Sequence, residues 1–249
     1  MSWGCIRREK DVTKVQTGEP DSDLGSNEIL LSLDKTVAII DGSGVLADPA
    51  GINREELIRL AKPRVPVGHF DKSKLGKDGY LVCVEDHDVN LPSGELVIDG
   101  TDFRNAAHLR FKADSFVTCG GREYGCAVDS EGKPHFKYID EGANLFITEQ
   151  ARLYVEKRKV ILFKDSSTNK GGVTSSSLDV LAGLALSTEE YTELMIFSNG
   201  KPTAFYEVYV TDVQVKICEM QRCGGAKTRT VISDELLNGL QAKLEGSNI

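Results

Sequence analysis

Thr36-Val-Ala-Ile-Ile40 is apolar without a break after its first residue and stops at the loop Asp41-Gly-Ser-Gly44. An alternating run would describe a strand wetted on one face. An unbroken one needs cover on both, which is the condition inside a parallel sheet flanked by helices. Similar units recur along the chain. Val12–Gln16 is a β-like run ending in the turn-rich Thr17-Gly-Glu-Pro-Asp-Ser-Asp-Leu-Gly25, followed by a short helix over Ser26–Leu33. Asn53 with Glu56 forms a capping box that opens a helix over Arg54–Lys62. Ser115–Thr118 ends at Cys119-Gly120-Gly121, and Phe136–Ile139 ends at Glu141-Gly-Ala-Asn144. Thr148 caps a helix over Glu149–Lys157, and Val160–Phe163 leads into the polar stretch Lys164–Gly172. Ser176 with Asp179 makes a second capping box for a helix over Leu178–Leu186.

Strand, polar or glycine-rich loop, helix, repeated in that order, implies parallel strands joined by crossover helices. The expected fold is α/β, a Rossmann-like, doubly wound, mostly parallel sheet. Residues 62–100 break the rhythm with Pro63, Pro66 and Pro92 and two weakly alternating runs, Gly79–Val84 and Glu95–Ile98. They read as a hairpin-bearing insertion without chemistry, after which Asp102 caps a short helix near Phe103–His108. The expected organisation is a tail over 1–11, a dinucleotide-binding domain over 12–190 with its insertion at about 62–100, and a partial, helical C-terminal extension over 191–249.

Composition narrows the function classes. The net charge of −8, with Lys and Arg scattered, argues against a nucleic-acid surface. No apolar run reaches the roughly 18 residues that a membrane helix needs, and Met1–Lys10 holds no signal-like core. The six cysteines form no C-x2-C pair and the four histidines stand far apart, so reduced thiols and no metal are expected. An intracellular protein follows, in the cytoplasm or the mitochondrial matrix.

Ligands of doubly wound sheets bind beyond the carboxyl ends of the strands, so the loops that end these strands hold the candidate site. Gly18, Ser22 and Gly25 occupy the first strand–helix turn, where glycine lets backbone approach a pyrophosphate and a helix start supplies N–H donors. G-x-G-x-x-G is absent, so that turn is equally at home as plain chain reversal. Asp41 stands at the tip of the second strand, where a carboxylate accepts from adenine-ribose hydroxyls and repels the extra phosphate of NADP; Ser43 shares its loop. The same Asp-Gly pair also reads as the opening of a turn. Cys119 and Gly120 place backbone at the ligand edge, and Asn144 offers an amide suited to a carboxamide or ribose. Asn169 through Ser176 reads as an ordered loop with close-approach glycines and hydroxyls at a helix start. No nucleophile–base pair and no P-loop are present, so a catalytic group is not expected in this stretch.

Tyr138-Ile-Asp-Glu-Gly-Ala-Asn-Leu-Phe-Ile-Thr148, followed by Ile161–Asp179 with its Asn-Lys-Gly-Gly-Val-Thr-Ser-Ser core, closely resembles the large NAD-specific glutamate dehydrogenases of fungi. Asp41–Ile52 and Phe116–Gly121 fit the same family, and the match runs from about Val15 to about Tyr209. The resemblance implies NAD-dependent oxidation of L-glutamate to 2-oxoglutarate and ammonia, by an enzyme that works as a homo-oligomer. It places Gly25 at the pyrophosphate turn and Asp41 at the adenine ribose, with Gly18, Ser22 and Ser43 of the same loops as further cofactor-binding candidates. Cys119 and Gly120 fall on the nicotinamide side, Asn144 and Asn169 near ribose and carboxamide, and Val173 and Ser176 at the side-chain end of glutamate. The family's catalytic Lys and Asp belong to a glutamate-binding domain expected ahead of Met1, so this stretch alone is expected to be inactive. The alternative is a non-catalytic NAD-binding remnant or assembly module of the same lineage.

Several positions depart from the family pattern. Glu19 and Ser22 stand for glycines, Thr118 for proline, and Asp140 for an apolar residue. The chain is also shorter by most of a helix between Arg122 and Gly132, and another stretch is missing around Cys218–Ala226.

Overall fold

The structure is a computed structural model and describes residues 9–18, 20, 22–120 and 128–211. It divides after Thr168 into two compact units, Met1–Thr168 and Asn169–Ile249. In the first, chain order is β1 (Thr13–Thr17), α1 (Asp23–Leu31), β2 (Lys35–Ile40), β3 (Gly44–Ala47) and α2 (Arg54–Ala61). Then come β4 (Tyr80–Cys83), β5 (His87–Asn90), β6 (Leu96–Asp99), α3 (Gly100–Ala106), β7 (Ser115–Thr118), β8 (Tyr138–Glu141), α4 (Glu149–Lys157), β9 (Ile161–Phe163) and α5 (Asp165–Thr168). The second unit holds α6 (Lys170–Ala185), α7 (Thr188–Met195) and α8 (Ala204–Tyr206) around Leu178, Ala182, Met195 and Val210.

The main sheet has seven strands in the order β4-β3-β2-β1-β7-β8-β9. Strands β2, β1, β7, β8 and β9 pair in parallel, while at one edge β3 pairs antiparallel with β2 and β4 antiparallel with β3. The fold is therefore the mostly parallel, Rossmann-like α/β arrangement expected. The chain leaves β1 in one direction, through α1 to β2, and later returns to β1's other side as β7, so the switch in strand order lies between β1 and β7. On one face, α1 and α2 bury Ile29, Leu57 and Leu60 against Ile39, Leu46 and Leu81. On the other, α3 packs on β3 and β4, and Val15, Ile40, Val45, Phe116 and Ile139 form one core with Phe103, Phe136, Phe146 and Val155. Phe136 lies just before β8 rather than within it, stacked on Phe116 at 4.7 Å between ring centroids.

Five sequence expectations change. Helix α1 begins at Asp23, three residues before Ser26, because the Ser22 hydroxyl accepts from the Gly25 N–H at 3.1 Å and caps it there. Asp41–Gly44 is a tight hairpin turn into β3, a strand the sequence did not announce. The Gly79–Val84 run is β4 and belongs to the main sheet, so the hairpin in residues 62–100 is β5–β6 alone. Asp99, not Asp102, caps α3, its carboxylate accepting from the Asp102 N–H at 2.8 Å. Helix α6 starts at Lys170 with Asn169 as its N-cap residue, so Gly172, Val173 and Ser176 are helical and Ser176 opens nothing.

Two acids make the stability of the first unit depend on pH in opposite senses. Burial raises the Asp114 carboxyl, but Lys137 at 2.5 Å and the amide and hydroxyl of Thr13 outweigh it and hold it at about 2. Its folded value lies below the unfolded one, so its contribution is intact above about pH 4 and is lost toward pH 2. Asp140 is pushed up to about 6, first by burial and then by the charge of Glu28. Its folded value lies above the unfolded one, so its ionisation destabilises the fold as pH rises through 6. Urea unfolding at pH 7.5 should show Asp140→Asn more stable than the parent by about 1–2 kcal/mol, the gain vanishing by about pH 4. An equal or lower midpoint at pH 7.5 would contradict this environment for Asp140.

Candidate functional site

The tips of β2, β1, β7 and β8 stand side by side at one edge of the sheet. Gly18 N–H donates to the Ile40 carbonyl at 2.9 Å, which ties the β1 tip to β2. On the other side, Cys119 N–H donates to the Thr17 carbonyl at 2.6 Å and the Thr17 hydroxyl to the Gly120 carbonyl at 2.9 Å. Gly18 adopts a φ of +89°, and a Cβ built on it would lie 2.4 Å from the Gly120 nitrogen. Two bare backbones thus meet at the switch point. Ala143 N–H donates to the Thr118 carbonyl at 2.6 Å, bringing the β8 tip in beside β7. Leu24, on the first turn of α1, would meet a Cβ on Gly142 at 2.6 Å.

Gly18, Ser22, Gly25, Cys119 and Gly120 therefore share one neighbourhood. Ser22 sits at the helix start as its cap, and Gln16 Nε2 holds the Gly25 carbonyl at 3.2 Å from the strand below. Cys119 is buried, and burial pushes its thiol up to about 12, so it supplies backbone rather than a thiolate. Asn144 lies just past the β8 tip, exposed, beside Leu145, whose N–H donates to Asp165 Oδ2 at 2.9 Å. Asn169, Val173 and Ser176 belong to the second compact unit, where Val173 is 61% exposed on α6 and Asn169 is half-buried.

Asp41 is the site residue whose surroundings differ most from expectation. It follows Ile40 at the β2 tip but is only 4% exposed. Its Oδ1 accepts from the Ser43 N–H at 2.8 Å, the Ser43 hydroxyl at 2.7 Å and the Gly44 N–H at 3.1 Å. Its Oδ2 accepts from the Val67 N–H at 2.7 Å, and Ser43 Oγ in turn accepts from the Gly68 N–H at 2.8 Å. Of the two readings of the Asp-Gly pair, these bonds are those of the turn. Asp41 and Ser43 brace the hairpin and the segment at Val67–Gly68 against it.

Sequence reasoning passed over Thr17, Thr118 and Glu141. Thr118 and Glu141 are register partners at the β7 and β8 tips, both within 1% of full burial. Glu141 Oε1 accepts from the Ile147 N–H at 2.7 Å, while Glu141 Oε2 and the Thr118 hydroxyl have no hydrogen-bond partner. A buried carboxylate inside Glu-Gly-Ala-Asn was the available signal, because an acid at a strand's last position seldom stays buried without a task. Among the described residues there is no group of three or more His, Cys, Asp or Glu able to hold a metal, and no helix is long and apolar enough to cross a membrane.

The chain is 54% identical over 210 residues to a protein of Schizosaccharomyces pombe named "Probable NAD-specific glutamate dehydrogenase", a match covering 82% of this chain and 19% of that protein. It is 51% identical over 220 residues to the "NAD-specific glutamate dehydrogenase" of Neurospora crassa, covering 85% of this chain and 21% of the relative. The chain thus spans about a fifth of the length of these curated relatives. A solved glutamate dehydrogenase of Plasmodium falciparum matches at 16% identity and a TM-score of 0.48, over 85% of this chain and 38% of that one. A profile of the Glutamate/Leucine/Phenylalanine/Valine dehydrogenases matches residues 8–227, and the chain belongs to that family.

Proposed function

We propose that this chain is the cofactor-holding part of an NAD-dependent glutamate dehydrogenase, which converts L-glutamate, NAD and water to 2-oxoglutarate, ammonia and NADH. The observation that carries the reading is the meeting of Gly18 and Gly120 at the switch point between β1 and β7, beside the start of α1. Open α/β sheets bind their ligands in that crevice. The residues present fit a dinucleotide. Gly18 has the positive φ of a close-approach turn, and the first turn of α1 offers backbone N–H groups to a pyrophosphate. Ser22, at a family glycine position, takes up one of those donors through its hydroxyl, which leaves fewer for the phosphates.

In this reading Gly18, Ser22 and Gly25 hold the pyrophosphate, and Asp41 and Ser43 shape the adenine end. Cys119, Gly120 and Asn144 face the nicotinamide side, with Thr118 and Glu141 as polar groups behind them. Asn169 is assigned to the carboxamide or ribose, and Val173 and Ser176 to the side chain of glutamate. NAD, when bound, supplies the hydride acceptor; the chain positions it and keeps water from the ring. The remainder of the enzyme, with the catalytic Lys and Asp of the glutamate-binding domain and the oligomer contacts, is assigned to polypeptide outside this span, and its compartment to the cytoplasm or mitochondrial matrix.

Titration of the chain with NADH, followed by nicotinamide fluorescence, should saturate below millimolar concentration, with NADPH weaker. Gly120→Val should abolish the signal while the far-UV circular dichroism stays folded. Absence of binding at millimolar NADH would overturn the reading.

A further inference from the structure

A sheet of parallel strands is ordinarily covered on both faces. Among the described residues, α1 and α2 lie on one face over β1 to β4, β7 beside them is buried as well, and the exposed side chains on that face belong to β8 and β9. The register that aligns Val117 with Asp140, Asp140 with Phe163 and Tyr138 with Ile161 puts these five side chains on that same face, over β7 to β9. Tyr138, Ile161 and Phe163 are 42%, 48% and 53% exposed. Contiguous apolar surface of this kind marks an interaction site. Leu31, on the rim of α1, extends it at 80% exposure.

The patch is not uniformly apolar. An open cleft of about 380 Å³ runs into it between α1 and the strands, lined by Lys14, Glu28, Asp34, Ser115, Val117 and Asp140 among others. Three carboxylates share it with one cation. Lys14 Nζ is 2.9 Å from Glu28 and 2.9 Å from Asp34, so the lysine that acts on Asp140 is already shared by two other acids. Burial and Glu28 together push the Asp140 carboxyl up to about 6, as expected of a carboxylate short of positive charge.

We propose that this face is a docking surface for an amphipathic helix of a partner polypeptide, which lays apolar side chains over Tyr138, Ile161 and Phe163 and sets a Lys or Arg against Asp140. A helix is the element that covers the face of a parallel sheet, and an amphipathic one presents an apolar stripe at i, i+3, i+4 and i+7 for that purpose. Charge selects against a second copy of this chain, since pairing two such faces would bring acidic clefts of like sign together in a protein of net charge −8. The inference is independent of whether the strand tips bind NAD.

The test uses the whole chain and a fluorescein-labelled synthetic peptide of about 18 residues, long enough to be helical when bound. The peptide carries a leucine stripe and one central lysine, and a second peptide replaces that lysine with glutamate. Anisotropy should show the lysine peptide binding about tenfold more tightly. Phe163→Glu should abolish binding of both, and Asp140→Asn should remove most of the preference. Phe163 is half exposed, so this variant should keep the parent's circular dichroism spectrum. Failure of the lysine peptide to bind, equal binding of the two peptides, or binding unchanged by Phe163→Glu would each overturn the proposal. So would micromolar self-association in sedimentation that Phe163→Glu abolishes, which would make a second copy the occupant.

Discussion

Gly18→Ala should lower the stability of the first unit by about 3 kcal/mol, far more than an alanine for a turn glycine usually costs. Two effects add. The residue holds φ at +89°, a conformation that costs an L side chain about 1 kcal/mol. The new methyl would also lie 2.4 Å from the Gly120 nitrogen and 2.6 Å from the Cys119 carbonyl carbon, both backbone atoms. Those atoms cannot swing aside as a side chain would. Cys119 N–H and the Gly120 carbonyl are both bonded to Thr17, so relief means separating β1 from β7 at their tips. Gly94 supplies the control. Its φ of +86° is nearly the same, yet nothing lies within 4 Å of its would-be Cβ. Gly94→Ala should therefore show the backbone cost alone, about 1 kcal/mol. Urea midpoints for the two variants give the difference directly. Equal losses would mean that the strand tips are not in contact, and the case for the switch-point crevice would weaken with them.

That contact also marks where sequence reading stops. Gly18 and Gly120 were each visible as a glycine ending a strand, because a glycine after an apolar run is a local signal. Their meeting depends on strand order, which joins residues about a hundred positions apart and leaves no local trace. The central strands were legible for a similar reason: Thr36–Ile40 and Ser115–Thr118 are covered on both faces, so their burial is written in composition. Strand β3 was not, and β4 was read as part of a hairpin in the insertion rather than as a strand of the main sheet. Gly44–Ala47 is short and follows a turn with no spacer, while Tyr80–Cys83 lies in a proline-bearing stretch and gains its burial only by pairing with β3. Helix α6 shows tertiary context overriding propensity, since Lys-Gly-Gly-Val-Thr-Ser-Ser-Ser reads as loop residue by residue and is helical in the fold. Cap positions erred where two candidates stood a few residues apart, as with Ser22 and Ser26 or Asp99 and Asp102. There the geometry of a single hydrogen bond decides.

Asp41 poses the same problem at one residue, and its removal is expected to be the costliest single change in the site. Both readings of Asp41, ribose acceptor and turn former, rest on the same four letters. What separates them is the Val67 N–H, 26 residues away, which reaches Oδ2 at 2.7 Å. Asp41→Ala would strand that buried amide together with the amides of Ser43 and Gly44, at about 3–4 kcal/mol in total. Asp41→Asn keeps one acceptor oxygen for the three donors on the Oδ1 side. It turns an amide NH2 toward the Val67 N–H, donor against donor, so about 1–2 kcal/mol should go. The order Ala worse than Asn worse than parent, read from urea unfolding, is the signature of a turn carboxylate; losses under about 1 kcal/mol for both would show that these bonds do not persist in solution. Cofactor preference adds a second readout. A negative charge at the β2 tip disfavours a nearby phosphate even with its lone pairs engaged, so Asp41→Asn should narrow the ratio of NADH to NADPH affinity by weakening that repulsion. If stability falls in the expected order while the ratio stays constant, Asp41 serves the hairpin alone and the choice of cofactor is made elsewhere.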